Sequence, residues 1–369
     1  MTGSADLTAD LGPVVRALAH RPEFLAGWVA ATPHAHQLLT DALNLDDQAL
    51  MRLLVCRAPR PQQFSADISA IAEYIGIEAT SLAVALRSVS SLAALSTATP
   101  PDKSIRAGQL LAAARDTAAE LIPSAAPDAR IERLAAATWA EAPAAVRAGR
   151  DVAAAIAWAS PVMVVTLPRL GLAAATQWLA DRGVPERLDG GTDQLRGLLV
   201  AWRGNGVIFI DGTLDAAERR FTLAHEHGHF LLDYAEPRRR AARDAPALLD
   251  VIDGRRAATT ADRAAAALAR VPLGLHTHRL HRDSDGGTTA ETGTAEDDAS
   301  RYALELLAPI DDVVILLGAE LSDGRPYREA LGIAAVLVVR NFDLPADAAN
   351  ARAVAGLAAL GIRPGFFDR

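Results

Sequence analysis

Two textures follow one another along this chain of 369 residues. From residue 7 to about 95, and again over 105–158, apolar positions recur at helical spacing. Thr32-Pro33-His34 and Ala58-Pro59-Arg60-Pro61 break the first block, and prolines 123, 127 and 143 break the second. Runs of alanine reinforce the second block, because Ala loses no side-chain entropy in a helix. Between the blocks, residues 96–103 (STATPPDK) have the composition of a linker. After Ser160 the pattern turns β-branched, at 161–167 (PVMVVTL), 195–202 and 207–210. Arg203-Gly204-Asn205-Gly206 separates the last two runs, and its Asn-Gly is a hairpin signal, so a small antiparallel sheet is expected.

The helical period then returns. Asp215 with Glu218 three residues on has the form of a capping box, and Phe221, Ala224, Gly228 and Leu232 mark one face of a helix ending near 234–237. Residues 238–295 are mostly polar and rich in Arg and Ala, closing in DSDGGTTAETGT at 283–294, whose composition predicts a mobile loop. A further helix is expected over 296–307, stopping before Pro309. No fixed-period repeat is present. The pattern predicts an α+β chain, mostly α, in four parts: a helical domain at 1–95, a linker and helical connector at 96–158, a mixed domain at 159–318 with a long insertion at 238–295, and a C-terminal helical segment at 319–369.

Composition narrows the function. Half of the residues are apolar, which suits a chain with a real core and excludes wholesale disorder. No apolar stretch approaches the roughly 20 residues that cross a bilayer, and the first ten residues lack the basic flank and apolar centre of a secretion signal. Cys56 is the single cysteine, which excludes an internal disulfide framework and any Cys-based zinc finger. A soluble, cytoplasmic protein with no membrane partner is therefore expected. The net charge of −8 argues against broad attraction to nucleic acid, and 5% aromatic residues leave little for base stacking. Lys103 is the only lysine; with the abundance of Ala, the preference for Arg reads as genome composition.

Chemistry concentrates in His225-Glu226-His227-Gly228-His229, an HExxH on the expected helix. Residues four apart stand one turn above each other, so His225 and His229 can aim two imidazole nitrogens at one point about 2 Å away, a zinc-ligand distance. Glu226 lies beside that point and can take a proton from water activated there, as a general base. HExxH arises by chance in roughly one such chain in a hundred, and here a helix is predicted independently of the motif. His227, about 200° round the helix from His225, should face away. A catalytic zinc takes three protein ligands, and the third candidate is Glu296, on the side of the next helix that carries Ala299, Ala303, Leu306 and Leu307. Ser300, four residues on, could hydrogen-bond a ligand. Glu296, Asp297 and Asp298 also suit a favourable acidic first turn, and Asp298 is the fallback ligand.

The stretch Arg220-Phe221-Thr222-Leu223-Ala224-His225-Glu226-His227-Gly228-His229-Phe230-Leu231-Leu232 resembles the RFTLAHELGHLLL block of the ImmA/IrrE family of zinc metallopeptidases. Glu296, Ala299-Ser300, Tyr302-Ala303 and Leu306-Leu307-Ala308-Pro309 are similar to that family's later block, and 207–211 stands where the family places a strand. The resemblance covers about 160–310 and continues more weakly to 357. It implies a zincin-like fold, zinc held by His225, His229 and Glu296, Glu226 as general base, and a protein substrate, commonly a helix-turn-helix repressor in stress, phage or mobile-element responses. His227 replaces the usual Leu and Ser300 the usual Asn, and the section between the blocks is longer than usual.

Other features are weighed against plainer readings. His276, His278 and His281 sit close together inside the insertion; a polar loop with incidental histidines is preferred there over a second metal site or a substrate contact from His278. His20, His34 and His36 have no acidic partner at ligand spacing. Residues 71–82 have the Ala72…Gly76…Leu82 spacing of a helix-turn-helix, but the second helix offers only Glu78, Thr80, Ser81 and Arg87, a poor set for reading DNA. Residues 341–350 resemble the family's trailing helical segment and read as scaffold or substrate dock. Two functions remain: a zinc endopeptidase, and a non-catalytic regulator or binding module on the same fold.

Overall fold

The computed structural model describes residues 11–97, 128–184, 188, 194–281, 290–321 and 325–364. Most of the linker expected at 96–103, the first part of the second helical block and most of the loop expected at 283–294 lie outside these residues. The N-terminal region is helical: α1 (Gly12–Leu18), α2 (Leu25–Ala31), α3 (Ala35–Leu43), α4 (Asp47–Leu54), α5 (Phe64–Ile75) and α6 (Ala79–Ser96). Between α5 and α6, Gly76 takes φ +82°, a backbone conformation that suits glycine because it has no Cβ. Glu78 then caps α6 by accepting from the N–H groups of Thr80 and Ser81, and Ala72 and Leu82 are buried across the turn. Two helices joined by a turn at Gly76 are therefore present where the spacing suggested them. Leu82, Leu86 and Val89 of α6 join the core of the N-terminal helices, whereas Leu92 and Leu95 enter the core beneath the sheet. Among the described residues α6 alone has the length and hydropathy of a membrane span, and half of it is buried inside the fold.

A connector of α7 (Ala129–Ala140), α8 (Ala144–Gly149) and α9 (Val152–Ala159) leads into β1 (Val162–Leu167). Asp128 and Asp151 cap α7 and α9 through their carboxylates. α10 (Leu172–Ala180) follows, then β2 (Leu195–Trp202) and β3 (Asn205–Asp211). The sheet has four strands in the order β1-β3-β2-β4, with β4 (His276–His281) contributed by the insertion. The expected antiparallel hairpin is β2–β3, but the sheet as a whole is mixed, since β1 runs parallel to β3. The turn also falls two residues earlier than Asn-Gly suggested. Trp202 pairs with Asn205, leaving Arg203 and Gly204 to turn at φ +49° and +81°, the two positive values that a tight hairpin requires. Successive residues of β2 and β3 alternate between two buried faces: Leu198, Val200, Val207 and Phe209 face one core, and Leu199, Ala201, Ile208 and Ile210 the other. Burial on both sides explains the uninterrupted apolar runs.

α11 (Ala216–His229) lies against the second face. It does not end near 234–237 as expected. A π-helical turn (Phe230–Ala235) carries it into α12 (Glu236–Asp244): the Glu236 N–H still donates back to Leu231 O, and Pro237, which has no N–H to donate, follows directly after this wider turn. The remainder of the insertion forms α13 (Leu249–Ile252), α14 (Thr260–Leu268) and a small core of their own with Leu248, Val251, Ile252, Ala266 and Val271. α15 (Ala290–Leu307) starts six residues before the expected 296, which places Glu296 inside the helix and not in an acidic first turn. α16 (Ile310–Glu320), α17 (Tyr327–Phe342) and α18 (Ala346–Ala359) are the last described elements, with Arg352 of α18 paired to Glu305 of α15.

Candidate metal centre

Asp215 caps α11 by accepting from the N–H of Glu218, while the Glu218 carboxylate accepts from Arg196 on β2. One turn of α11 separates His225 from His229, and both rings are buried. What brings the third donor within reach is the approach of α15. A Cβ on Gly228 would stand 3.0 Å from the Ala299 Cα and 3.1 Å from the Tyr302 ring, so only a glycine lets the helices meet this closely without adjustment. Glu296, one turn before Ala299, is thereby turned onto the histidine pair.

His225 Nε2 lies 3.1 Å from His229 Nε2, and Glu296 Oε2 lies 3.2 and 3.3 Å from the two. Donors held about 2.0–2.1 Å from one tetrahedral zinc stand about 3.3 Å apart, so this near-equilateral triangle fits the ion. The outer ring nitrogens are partnered as well. His229 Nδ1 donates to Asp233 Oδ2 at 2.6 Å, and His225 Nδ1 lies 3.3 Å from Ser300 Oγ, the contact expected of Ser300. Each such bond leaves a lone pair on Nε2 facing the centre of the triangle. The charge balance also favours a cation. Burial opposes charge on His229, and His278 beside it opposes it further, yet Glu296 and Asp233 outweigh both and raise its pKa to about 9. Burial raises the pKa of Glu296, but the neighbouring histidines dominate and hold it far below the ordinary carboxylate range. The carboxylates thus call for positive charge at this point, which a divalent ion supplies.

Residues 187–268 match the Peptidase M78 family, described as an IrrE N-terminal-like domain. This stretch is similar to that family over 82 residues, under a quarter of the chain. No curated protein and no solved structure matches the chain. The M78 stretch runs from the approach to β2 through α14 and holds His225, Glu226 and His229; β4 and Glu296 lie beyond it. The similarity suggests a metallopeptidase-type domain.

Within the M78 stretch, Glu226 is fully buried beside the donor triangle. Its Oε2 accepts from His278 Nδ1 at 3.0 Å, and its Oε1 has no hydrogen-bond partner. Gly197 on β2 makes room for that carboxylate: a Cβ there would come within 2.5 Å of Oε1. His227 faces away, as its spacing predicts. Its ring nitrogens lie 2.8 Å from Tyr302 Oη and from Ser160 Oγ, Tyr302 also meets Thr138 at 2.9 Å, and burial pushes the His227 pKa down to about 3. Asp298, the fallback ligand, is not in the cluster; it pairs with Arg301 at 3.8 Å.

The expectation of a polar loop with incidental histidines at 276–281 is overturned. These residues form β4, antiparallel to β2, and His278 points into the site, with Nε2 2.7 Å from Glu296 Oε1 and Nδ1 on Glu226. His276 is half-buried and stacked on Tyr234, and desolvation lowers its pKa to about 4. The signal that could have found β4 is the alternation His276, His278, Leu280, which puts three residues of a polar run on one face of a strand. Asp233, Gly197 and Ser160 carried no sequence signal, because each matters only through a neighbour distant along the chain or packed by the fold.

Proposed function

We propose that this chain is a zinc-dependent endopeptidase in which His225, His229 and Glu296 hold the metal and Glu226 is the general base. The observation that carries the reading is the triangle of three buried donors with edges of 3.1 to 3.3 Å, with the unpartnered Glu226 Oε1 beside it. Bound there, zinc supplies a Lewis acid for the scissile carbonyl and brings the pKa of water towards 7. Glu226 Oε1 takes the proton of the attacking water and returns it to the leaving amine. Burial keeps competing solvent from that carboxylate, and Gly197 leaves it space. Asp233 and Ser300 hold the two imidazoles at their angles. The substrate in this reading is a protein, a helix-turn-helix repressor whose removal releases stress, phage or mobile-element genes. Its support is the resemblance of residues 160–310 to the ImmA/IrrE family.

The regulator reading in its DNA-binding form finds less support. Arg87, the one basic residue of α6, donates from Nε to Ala157 O at 2.9 Å and from Nη2 to Trp158 O at 3.4 Å, so it caps α9. Comparing cells that express wild type and Glu226→Gln tests the peptidase: new protein N-termini should arise with wild type alone, and their absence refutes the activity. Purified wild type should hold about one zinc per chain, and His229→Ala none.

A further inference from the structure

We propose that His278 is a positioning residue that ties the ligand carboxylate Glu296 to the base Glu226, and that it is not itself a metal ligand. The inference rests on the assignment of those two roles above. His278 reaches the site on β4, beyond the residues of the family match, so the insertion itself delivers it.

Its geometry separates two roles. Four side chains, His225, His229, His278 and Glu296, stand close enough to share an ion. A ring nitrogen binds metal through a lone pair in the ring plane. The rings of His278 and His229 stack face to face, centroids 3.5 Å apart and planes 19° from parallel. An ion in the plane of His229 therefore lies well to one side of the His278 plane, out of line with either His278 lone pair. Nε2 of His278 meets Glu296 at Oε1, while Oε2 is the oxygen that faces the histidine pair. Nδ1 meets Glu226 at Oε2 and leaves Oε1 without a partner. Carboxylate oxygens only accept, so His278 serves both from its N–H groups. One side chain thus fixes which oxygen of Glu296 faces the ion and which oxygen of Glu226 faces the reaction. It also leaves the ion three protein ligands and an open position, as catalytic zinc sites have.

The test compares full-length wild type, His278→Ala and His278→Gln. Zinc affinity is read by competition with a chromophoric chelator, and the visible spectrum is read after cobalt(II) replaces zinc. Loss of an outer partner of a ligand costs about 10–100-fold in metal affinity. His278→Ala should bind one zinc with that loss and shift the cobalt bands; His278→Gln, which keeps an N–H for Glu296, should fall between it and wild type. Wild-type cobalt protein should respond to acetohydroxamate through the open position. Affinity and spectrum unchanged in His278→Ala overturn the proposal; should that variant fail to fold, the same result for His278→Gln overturns it. A wild-type spectrum blind to acetohydroxamate, with a response gained in His278→Ala, overturns it in favour of a fourth ligand. His229→Ala serves as the control: retention of zinc there would bring down the metal centre itself, whereas an unchanged His278→Ala beside a zinc-free His229→Ala brings down this inference alone.

Discussion

The turn between α5 and α6 and the pair α11–α15 both present a local motif on helices, and only one of them gathers reactive groups. At the first, the motif residues serve packing: Ala72 and Leu82 fill the core, Glu78 caps a helix, and Arg87 spends its donors on carbonyls of α9 and its flat face on Phe64, 3.4 Å from the ring centre. At the second, four imidazole and carboxylate groups are gathered against one another, three of them buried and His278 half-buried, and one oxygen of the neighbouring Glu226 has no partner. Burying charged groups without compensation is costly, so a cluster of this kind points to a role outside packing, which the proposed metal and reaction would supply. Spacing alone does not distinguish the two regions. The fate of the polar atoms does.

That contrast can be broken by experiment. Glu226→Gln should leave zinc stoichiometry unchanged while lowering the rate of cleavage by about 10²–10⁴-fold, the span of general-base catalysis, as measured on any substrate found by N-terminal profiling. Gly228→Val should force α11 and α15 apart; overpacking of this kind costs about 1–3 kcal/mol, seen as a lower denaturation midpoint, and zinc affinity should fall with it because Glu296 moves away. Ser300→Ala removes only the outer contact of His225 and should weaken zinc by about tenfold in the same chelator competition. Arg87→Met should destabilise the helical region by about 1–2 kcal/mol in urea titration and leave zinc affinity unchanged. Zinc lost from Arg87→Met would erase the distinction between the two regions.

Much of the candidate metal centre was legible because its parts follow from local rules. HExxH places two rings on one turn, and an independent cap and apolar stripe supplied the helix. Glu296 was found from the stripe of Ala299 and Ala303 on the same face, although α15 begins earlier than expected. His278 stayed hidden because its role depends on β4 pairing with β2, a contact between segments about 80 residues apart that no local pattern specifies. The hairpin turn was displaced because Asn205-Gly206 continues the strand, where Gly206 lets Phe230 pack at 3.0 Å from the position a Cβ would take. Pro237 suggested a stop, yet the helix passes it through a π-helical turn at 230–235, a local widening that the 3.6-residue period does not specify. The N-terminal helices were expected from periodicity, but which of them reaches the sheet was not, since Leu92 and Leu95 follow the same period as Leu82 and Leu86.

The three donors come from stretches that are 67 and 71 residues apart in the chain at their widest. A polypeptide emerging from the ribosome has both imidazoles and Glu226 long before Glu296, which completes the set. Until α15 docks on Gly228, no carboxylate from that helix stands against the two rings, so whatever the assembled cluster does is withheld from the half-made molecule by the order in which it is synthesised.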